Sequence, residues 1–467
     1  MLSRSLFALA TLLPALASWI PTPQDIFQEA HELLSGSDEA IHFQTLSSGG
    51  LYKHECTLSA LGEGQDDTEN FLRIVKKCGK GGILNFPDPV YNITRPIEIS
   101  LKDAYVNFKG FITHTGPVES WIENRITFDF QNQSLAFIIS GDNFVLDGHD
   151  TGGIDGNGQT WYDYGRDVGN KFGRPMTLAI KDAKDVEVKR FTVKQPGFWA
   201  TILIDTENVA MKDIYINATS YNPESWEDNK SWLQNTDGLD TYRSHNVSVE
   251  NFVYQGGDDC IALKPNSTSI YMRNVTCWGG TGIALGSIAQ YEGVTDIIED
   301  VLMEDIGLYP SDQCLGYQGV YAKSWIGESH GSPPNGGGGG NGYARNITFR
   351  NVNMKDIIHP IAVDTTLTYL PDVKGQPHIA PSNFEWADIH FENFTGTSAG
   401  NRIVWIDCPK HLPCKEFTFE GIDIQPGKDD HPEVGFICNN VVLDFTDGLD
   451  QCHPGNSTIE ADNDGTM

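Results

Sequence analysis

From residue 185 onward one pattern recurs: two or three alternating apolar residues, an Asn or Asp with an apolar neighbour, then a second short alternation. It appears as DVEVKRFTV from residue 185, NVAMKDIYI from 208, NVSVENFVY from 246, SIYMRNVTC from 269 and NITFRNVNM from 346. Alternation of period two in such short runs specifies strands, because successive side chains point to opposite faces. Matching the polar residue at the centre of each unit selects Arg190, Asp213, Asn251, Asn274, Asp300, Asn351, Asn393 and Gly421, at successive spacings of 23, 38, 23, 26, 51, 42 and 28. The short values define a period, and the long ones contain insertions such as YNPESWEDNKSWL and SPPNGGGGGNGYA. Several short strands per repeat of this length predict a solenoid. The chain is therefore read as all-β, a single-domain right-handed parallel β-helix over residues 22–450 with a short N-terminal helical cap. NFLRIVKKCGKG is the one helix-like pattern in that cap. A β-sandwich would instead place turn signals every eight to twelve residues.

The 467 residues carry 63 acidic against 32 basic side chains, a formal charge of -31. Such a surface repels nucleic acid and anionic lipid, so neither is expected as a partner. The first residues, MLSRSLFALATLLPALAS, place a basic residue, an apolar run and a small-residue site in the order of a secretory signal ending near residue 17. A secreted, extracellular monomer is expected, with an acidic flexible tail over 453–467. Ten Asn-X-Ser/Thr sequons, at Asn92, Asn132, Asn217, Asn229, Asn246, Asn266, Asn274, Asn346, Asn393 and Asn456, are candidate glycosylation sites. Nine cysteines in an oxidising compartment favour disulfides. The close pairs are Cys56 with Cys78, Cys260 with Cys277, Cys408 with Cys414 and Cys438 with Cys452, which leaves Cys314 over.

Two acidic motifs lie one period apart: Asn235-Thr236-Asp237-Gly238 and Gly257-Asp258-Asp259-Cys260, with Asp258 and Asp259 following Asp237 by 21 and 22 positions. On successive coils these three carboxyl groups would share one face. Like charges so close cannot all ionise without penalty, so at least one pKa is expected to rise. One protonated and one ionised carboxyl is what glycosidic hydrolysis needs. Clustered Asp also serves calcium-dependent elimination, which needs a strong base, and Arg243 is the nearest candidate. The hydrolytic reading is preferred, with no metal and no cofactor.

These motifs, with Lys264-Pro265-Asn266 and the Gly-rich stretch from Gly279 to Ser287, resemble glycoside hydrolase family 28, which holds polygalacturonases and rhamnogalacturonan hydrolases. The resemblance covers residues 60 to 440. It implies a right-handed β-helix and inverting hydrolysis, with Asp258 the proton donor and Asp237 and Asp259 holding the attacking water. Inversion calls for roughly 6.5 to 9.5 Å between acid and base. Where the family's polygalacturonases carry Gly-His-Gly and Arg-Ile-Lys, this chain has Gly280-Thr281-Gly282 and Tyr321-Ala322-Lys323. The guanidinium fork is gone and a point charge at Lys323 remains. Asn235, Thr281, Tyr321, Lys323 and Lys264 are the candidate substrate contacts. The insertions at 221–234 and 308–345 read as walls closing a cleft, as exo action needs, with Trp226, Trp232 and Trp325 as candidate sugar platforms. The expected substrate is a pectic polysaccharide, with terminal galacturonate released. Release of terminal rhamnose is the alternative, followed by a lyase and a non-catalytic carbohydrate-binding β-helix.

Overall fold

A computed structural model describes residues 41–45, 51–166, 168–225, 232–376, 379–428 and 435–442. Signal segment, acidic tail, Trp226, Asn229 and Asn456 fall outside them. The described residues form 24 strands joined in one continuous sheet, almost every pairing parallel. Each coil stacks in register on the last: Val188↔Met211, Met211↔Val249, Val249↔Met272, Met272↔Met303, Met303↔Phe349 and Phe349↔Phe391. These inward positions are buried and fill the solenoid with apolar columns, in which Phe349, Phe391 and Phe419 stack at 5.8 and 4.8 Å. The architecture is the right-handed parallel β-helix expected from the repeat.

The polar residue at the centre of each unit is a left-handed bend between two strand segments. Arg190, Asp213, Asn251, Asn274, Asn351, Asn393 and Gly421 all have φ between 48° and 67°. Asn and Gly tolerate this conformation best. The side chains also form a ladder, with Asn251 Nδ2 donating to Asp213 Oδ1, Asn274 to Asn251 and Asn393 to Asn351 at 2.7 to 2.9 Å. One assignment in the repeat needs correcting. The register pairs Arg273 with Glu304, so the partner of Asn274 is Asp305, not Asp300. Asp300 belongs to a second ladder five residues upstream, where Asn246 donates to Asn208 and Asn346 to Asp300. Two parallel ladders of the same residue types made the match ambiguous.

The amphipathic helix Thr68–Cys78 buries Phe71, Ile74 and Val75 and is tied to the first coil by the Cys56–Cys78 disulfide. Two further helices, Val118–Glu123 and Gly158–Gly165, were not legible as such, and parallel coils already begin at His54–Leu58. Cys260–Cys277 and Cys408–Cys414 are bonded as expected. Cys438 is also disulfide-bonded, its partner lying outside the described residues. Cys314 is buried and unbridged. Among the sequons, Asn92 is buried in the strand Val90–Ile93. Asn217 and Asn266 are partly buried, while Asn132, Asn246, Asn274, Asn346 and Asn393 are exposed.

Candidate active site

The strands Leu239–Tyr242, Asp259–Leu263, Thr281–Ile288 and Gly316–Trp325 stack as consecutive coils. The register pairs Leu239 with Ile261 and Asp259 with Thr281. Asp237 therefore stands at the same height of its coil as Asp259, and Thr281 follows on the next. The turns entering these strands need glycine. A Cβ on Gly238 would sit 2.4 Å from the Cys260 carbonyl oxygen, and one on Gly257 would sit 2.4 Å from the Leu233 Cβ. Buried Tyr254 ties the two motifs together: its hydroxyl accepts from the Asp258 N–H at 3.1 Å and lies 3.1 Å from the Thr236 carbonyl, to which it donates.

One oxygen from each of Asp237, Asp258 and Asp259 falls within 4.8 Å of the others. An inverting pair is expected to stand roughly 6.5 to 9.5 Å apart. These oxygens stand closer than that, Asp237 and Asp259 being on adjacent coils and Asp258 next to Asp259 in the chain. Asp258 Oδ2 accepts from the Asn235 N–H at 2.6 Å and Oδ1 from the Asp259 N–H at 2.8 Å. Asp259 is clamped by Lys323, whose Nζ lies 2.8 and 3.1 Å from its two oxygens. Lys264 Nζ faces Asp240 at 3.3 Å, Asp237 at 3.7 Å and Asp259 at 3.8 Å, and sits 4.7 Å from the Trp199 ring centre.

Burial raises the Asp237 carboxyl well above its usual range, and Asp258 and Asp240 push it further. Burial and then Asp259 raise Asp258, against the pull of Lys323 and two backbone N–H groups. Burial opposes charge on both lysines, but the carboxylates outweigh it and hold each ammonium above the ordinary lysine value. Four carboxyl groups thus share two ammonium ions in a buried cluster, which favours holding at least one proton among them.

A cleft of about 410 Å³ opens over the cluster, lined by Asn235, Asp258, Asp259, Thr281, Tyr321 and Lys323 among others. Asp237 and Lys264 are buried beside Asp259, which lines it. Thr281 donates to Gln318 Oε1 at 2.9 Å. Tyr321 donates to Asp364 at 3.3 Å, and its ring faces the Lys323 ammonium at 5.2 Å. Arg174, fully buried, donates to the Gly169 and Gly197 carbonyls and so fixes the rim at Val168–Asn170. Across the cleft, Asn170 Nδ2 donates to Asn335 Oδ1 at 2.8 Å, joining that rim to the glycine-rich insertion.

The platform expectation is corrected for two Trp residues. Trp325 is fully buried against Tyr369, and Trp232 packs with Tyr162 and Leu233. Arg243 pairs with Asp205 at 2.7 Å on the surface, so it supplies no base to the cluster. Sequence reasoning missed Asp240, Gln318, Arg174, Tyr369 and Lys374. Asp240 carried a signal, being three residues after Asp237 in the same motif.

A profile of glycosyl hydrolases family 28 matches residues 97–446. The chain is 41% identical to "Putative galacturan 1,4-alpha-galacturonidase A" of Aspergillus flavus, over 79% of this chain and 88% of that one. It is 32% identical to "Exopolygalacturonase" of Cochliobolus carbonum, over 80% and 82%. It is also 32% identical to "Alpha-L-rhamnosidase rgxB" of Aspergillus niger, over 80% and 85%. Among solved structures it superposes on an endo-xylogalacturonan hydrolase from Aspergillus tubingensis with a TM-score of 0.70 at 21% identity, over 86% of this chain and all of that one.

Proposed function

The chain belongs to glycosyl hydrolase family 28, and on that footing we propose that it is a secreted, exo-acting pectin hydrolase. It removes terminal galacturonate from galacturonan by cleaving the 1,4-α-glycosidic bond. The relatives named as galacturonidase and exopolygalacturonase support this substrate, and the bridged cleft supports the exo mode. A wall across one side of a 410 Å³ cleft admits a chain end, whereas internal cleavage needs a groove open at both sides.

Asp258, which lines the cleft and whose pKa is raised, is the general acid. Its proton passes to the glycosidic oxygen as the bond to C1 breaks. Water held by Asp237 and Asp259 attacks C1 and yields its proton to that pair. Lys323 clamps both oxygens of Asp259 and holds that side chain in place for this step. Products are free galacturonate and a chain one unit shorter. Inversion follows from the family resemblance, with the water sharing the compact Asp237–Asp259 edge. The protein is proposed to act outside the cell as a glycosylated monomer. Among the described residues no helix is long and apolar enough to cross a membrane.

The observation that carries the reading is the buried carboxylate–lysine cluster opening into a cleft closed by the Asn170–Asn335 bridge. Incubation with oligogalacturonates and with rhamnogalacturonan oligomers, followed by product identification, tests it. Galacturonate monomer as the first and sole small product is expected. Rhamnose would establish the alternative, for which the similarity to the Aspergillus niger rhamnosidase is the supporting observation. A ladder of oligomers would sink the exo mode.

A further inference from the structure

The strands Thr201–Asn217, His245–Gln255, Ser267–Trp278 and Thr295–Tyr309 stack as consecutive coils, and near their ends two rows of side chains point outward. One row is Tyr215, Val253, Thr276 and Gly307, and the other is Asn217, Gln255, Trp278 and Tyr309. Residues two apart on a strand share a face, so the rows lie side by side. None of these residues is charged, in a chain whose formal charge is -31. Tyr215, Val253 and Trp278 are 39%, 37% and 42% exposed. The rings of Trp278 and Tyr309 stand 4.7 Å apart. Tyr309 is held in place, its hydroxyl donating to Asn353 Oδ1 at 3.3 Å and its ring lying where a Cβ on Gly307 would come within 2.8 Å of it. A contiguous apolar strip of this kind on an exposed face marks a surface that receives something.

Asn217 begins the sequon Asn217-Ala218-Thr219, and Tyr215 stands two positions before it. Asn217 Oδ1 accepts from the Thr219 N–H at 3.0 Å and from the Thr219 hydroxyl at 2.7 Å, and its Nδ2 donates to the Tyr215 hydroxyl at 3.2 Å. An N-glycosidic bond replaces one of the two Nδ2 hydrogens and leaves Oδ1 and the other hydrogen in place, so these bonds are compatible with modification. The first sugar then starts beside the Tyr215 ring. On one side the next rung is Lys194, which pairs with Asp155 at 3.2 Å and covers the Phe111 ring. On the other side lie Gln255 and then Trp278, about 10 Å away across two rungs, which is the reach of two sugar units. The exposed sequons Asn246, Asn274, Asn346 and Asn393 sit instead on bends, where Nδ2 donates to the bend of the preceding coil, and none of them lies on either row.

We propose that Asn217 is a glycosylation site with a built seat, on which the N-linked glycan packs its first sugar against Tyr215 and runs across Gln255 to Trp278 and Tyr309. The apolar face of a neutral pyranose suits an aromatic ring. A galacturonate chain suits this strip poorly, since each unit brings a carboxylate to a row of uncharged side chains. The inference rests on the secreted reading and not on the identity of the sugar released.

The test uses the protein secreted from a fungal host, with peptide mass spectrometry reading both the occupancy of each sequon and the hydroxyl-radical labelling of each ring. Asn217 is expected to be occupied. A sugar shields one of the two faces of a ring, so Asn217→Gln is expected to raise the labelling of Tyr215 and Trp278 about twofold. Its retained hydrolytic activity shows that the variant is folded. Trimming the wild-type glycans enzymatically to their first sugar, with no substitution, is expected to raise the labelling of Trp278 while Tyr215 stays shielded. Asn274→Gln, which removes the sequon nearest Trp278 in sequence, is expected to change neither ring. Asn217 bare while other sequons are occupied, or Trp278 labelled equally with and without the Asn217 glycan, would overturn this inference and leave the secreted reading in place. Retention inside the cell with every sequon bare would overturn that reading, and this inference with it.

Discussion

Stability should fall as pH rises from 4.5 to 8, and the buried acids set the size of the fall. Asp296 and Asp407 are each raised by burial from 3.8 to about 6, and Asp240 by burial to about 7. A group whose folded value is raised contributes stability that is complete below 3.8 and is lost as pH climbs through its folded value. At about 1.36 kcal/mol per pK unit, the whole loss is about 3 kcal/mol for Asp296, about 3 for Asp407 and about 4 for Asp240. His114 acts in the opposite sense. Burial lowers it to about 3, so its stabilising neutral form is present above 6.5 and costs stability as pH falls below that value. Between pH 4.5 and 8 these three carboxyl groups lose about 7 kcal/mol and His114 returns about 3, a net loss of about 4 kcal/mol from these four groups, to which the raised Asp237 and Asp258 add in the same direction. That is a large part of the net stability of about 5 to 15 kcal/mol that holds an ordinary domain folded. Denaturant unfolding at pH 4.5 and 8, followed by near-ultraviolet circular dichroism, measures it. The Asp296→Asn, Asp407→Asn double variant should remove about 4 kcal/mol of the loss. A wild type as stable at pH 8 as at 4.5, or a double variant that keeps the full slope, would refute the reasoning.

The role of Asp258 can be separated from that of Asp237 by leaving group. Asp258→Asn is expected to lower kcat/KM on trigalacturonate by about 10²- to 10⁴-fold but far less on an aryl galacturonide, whose phenolate departs without a proton. Asp237→Asn is expected to harm both substrates alike, and the reverse pattern in parallel assays would exchange the two roles. Deleting residues 332–336 removes the Asn170–Asn335 bridge, and product chromatography should then show di- and trigalacturonate beside the monomer. A product still composed of monomer alone would show that the bridge is not what enforces exo action.

The fold was legible because one physical demand recurs on every coil. Each chain turn needs a left-handed residue between two strand segments, and Asn, Asp or Gly supplies it, so the bends appear as a polar mark inside apolar alternation. The mark failed once, at Asp300, because a second bend of identical chemistry lies five residues away from the true partner Asp305. The helices Val118–Glu123 and Gly158–Gly165 escaped for a different reason. They are short and lie outside the repeat, held by contacts such as Trp121 with His114 and Tyr162 with Trp232. Tertiary packing of that kind leaves little periodicity to read.

At the site, what could be read was what the coil period fixes. The step from Asp237 to Asp259 is one full coil, so the carboxyl cluster follows from arithmetic once a solenoid is assumed. What could not be read was depth. Lys264 and Lys323 look alike as strand lysines, yet one stands behind three carboxyl groups and the other clamps Asp259 at the floor of the cleft. Depth in a solenoid is decided by neighbours on adjacent coils, and the column Ala262, Ala284, Tyr321 and Ala362 shows how. Three rungs of that column carry alanine, and of the four only Tyr321 lines the cleft. The insertions were legible as walls, but not which atoms they would bring to bear. Trp325, conspicuous in sequence, packs edge-on against Tyr369, which lines the cleft. In a solenoid enzyme, the repeat therefore specifies the chemistry, and the irregular segments between repeats specify which chain end reaches it.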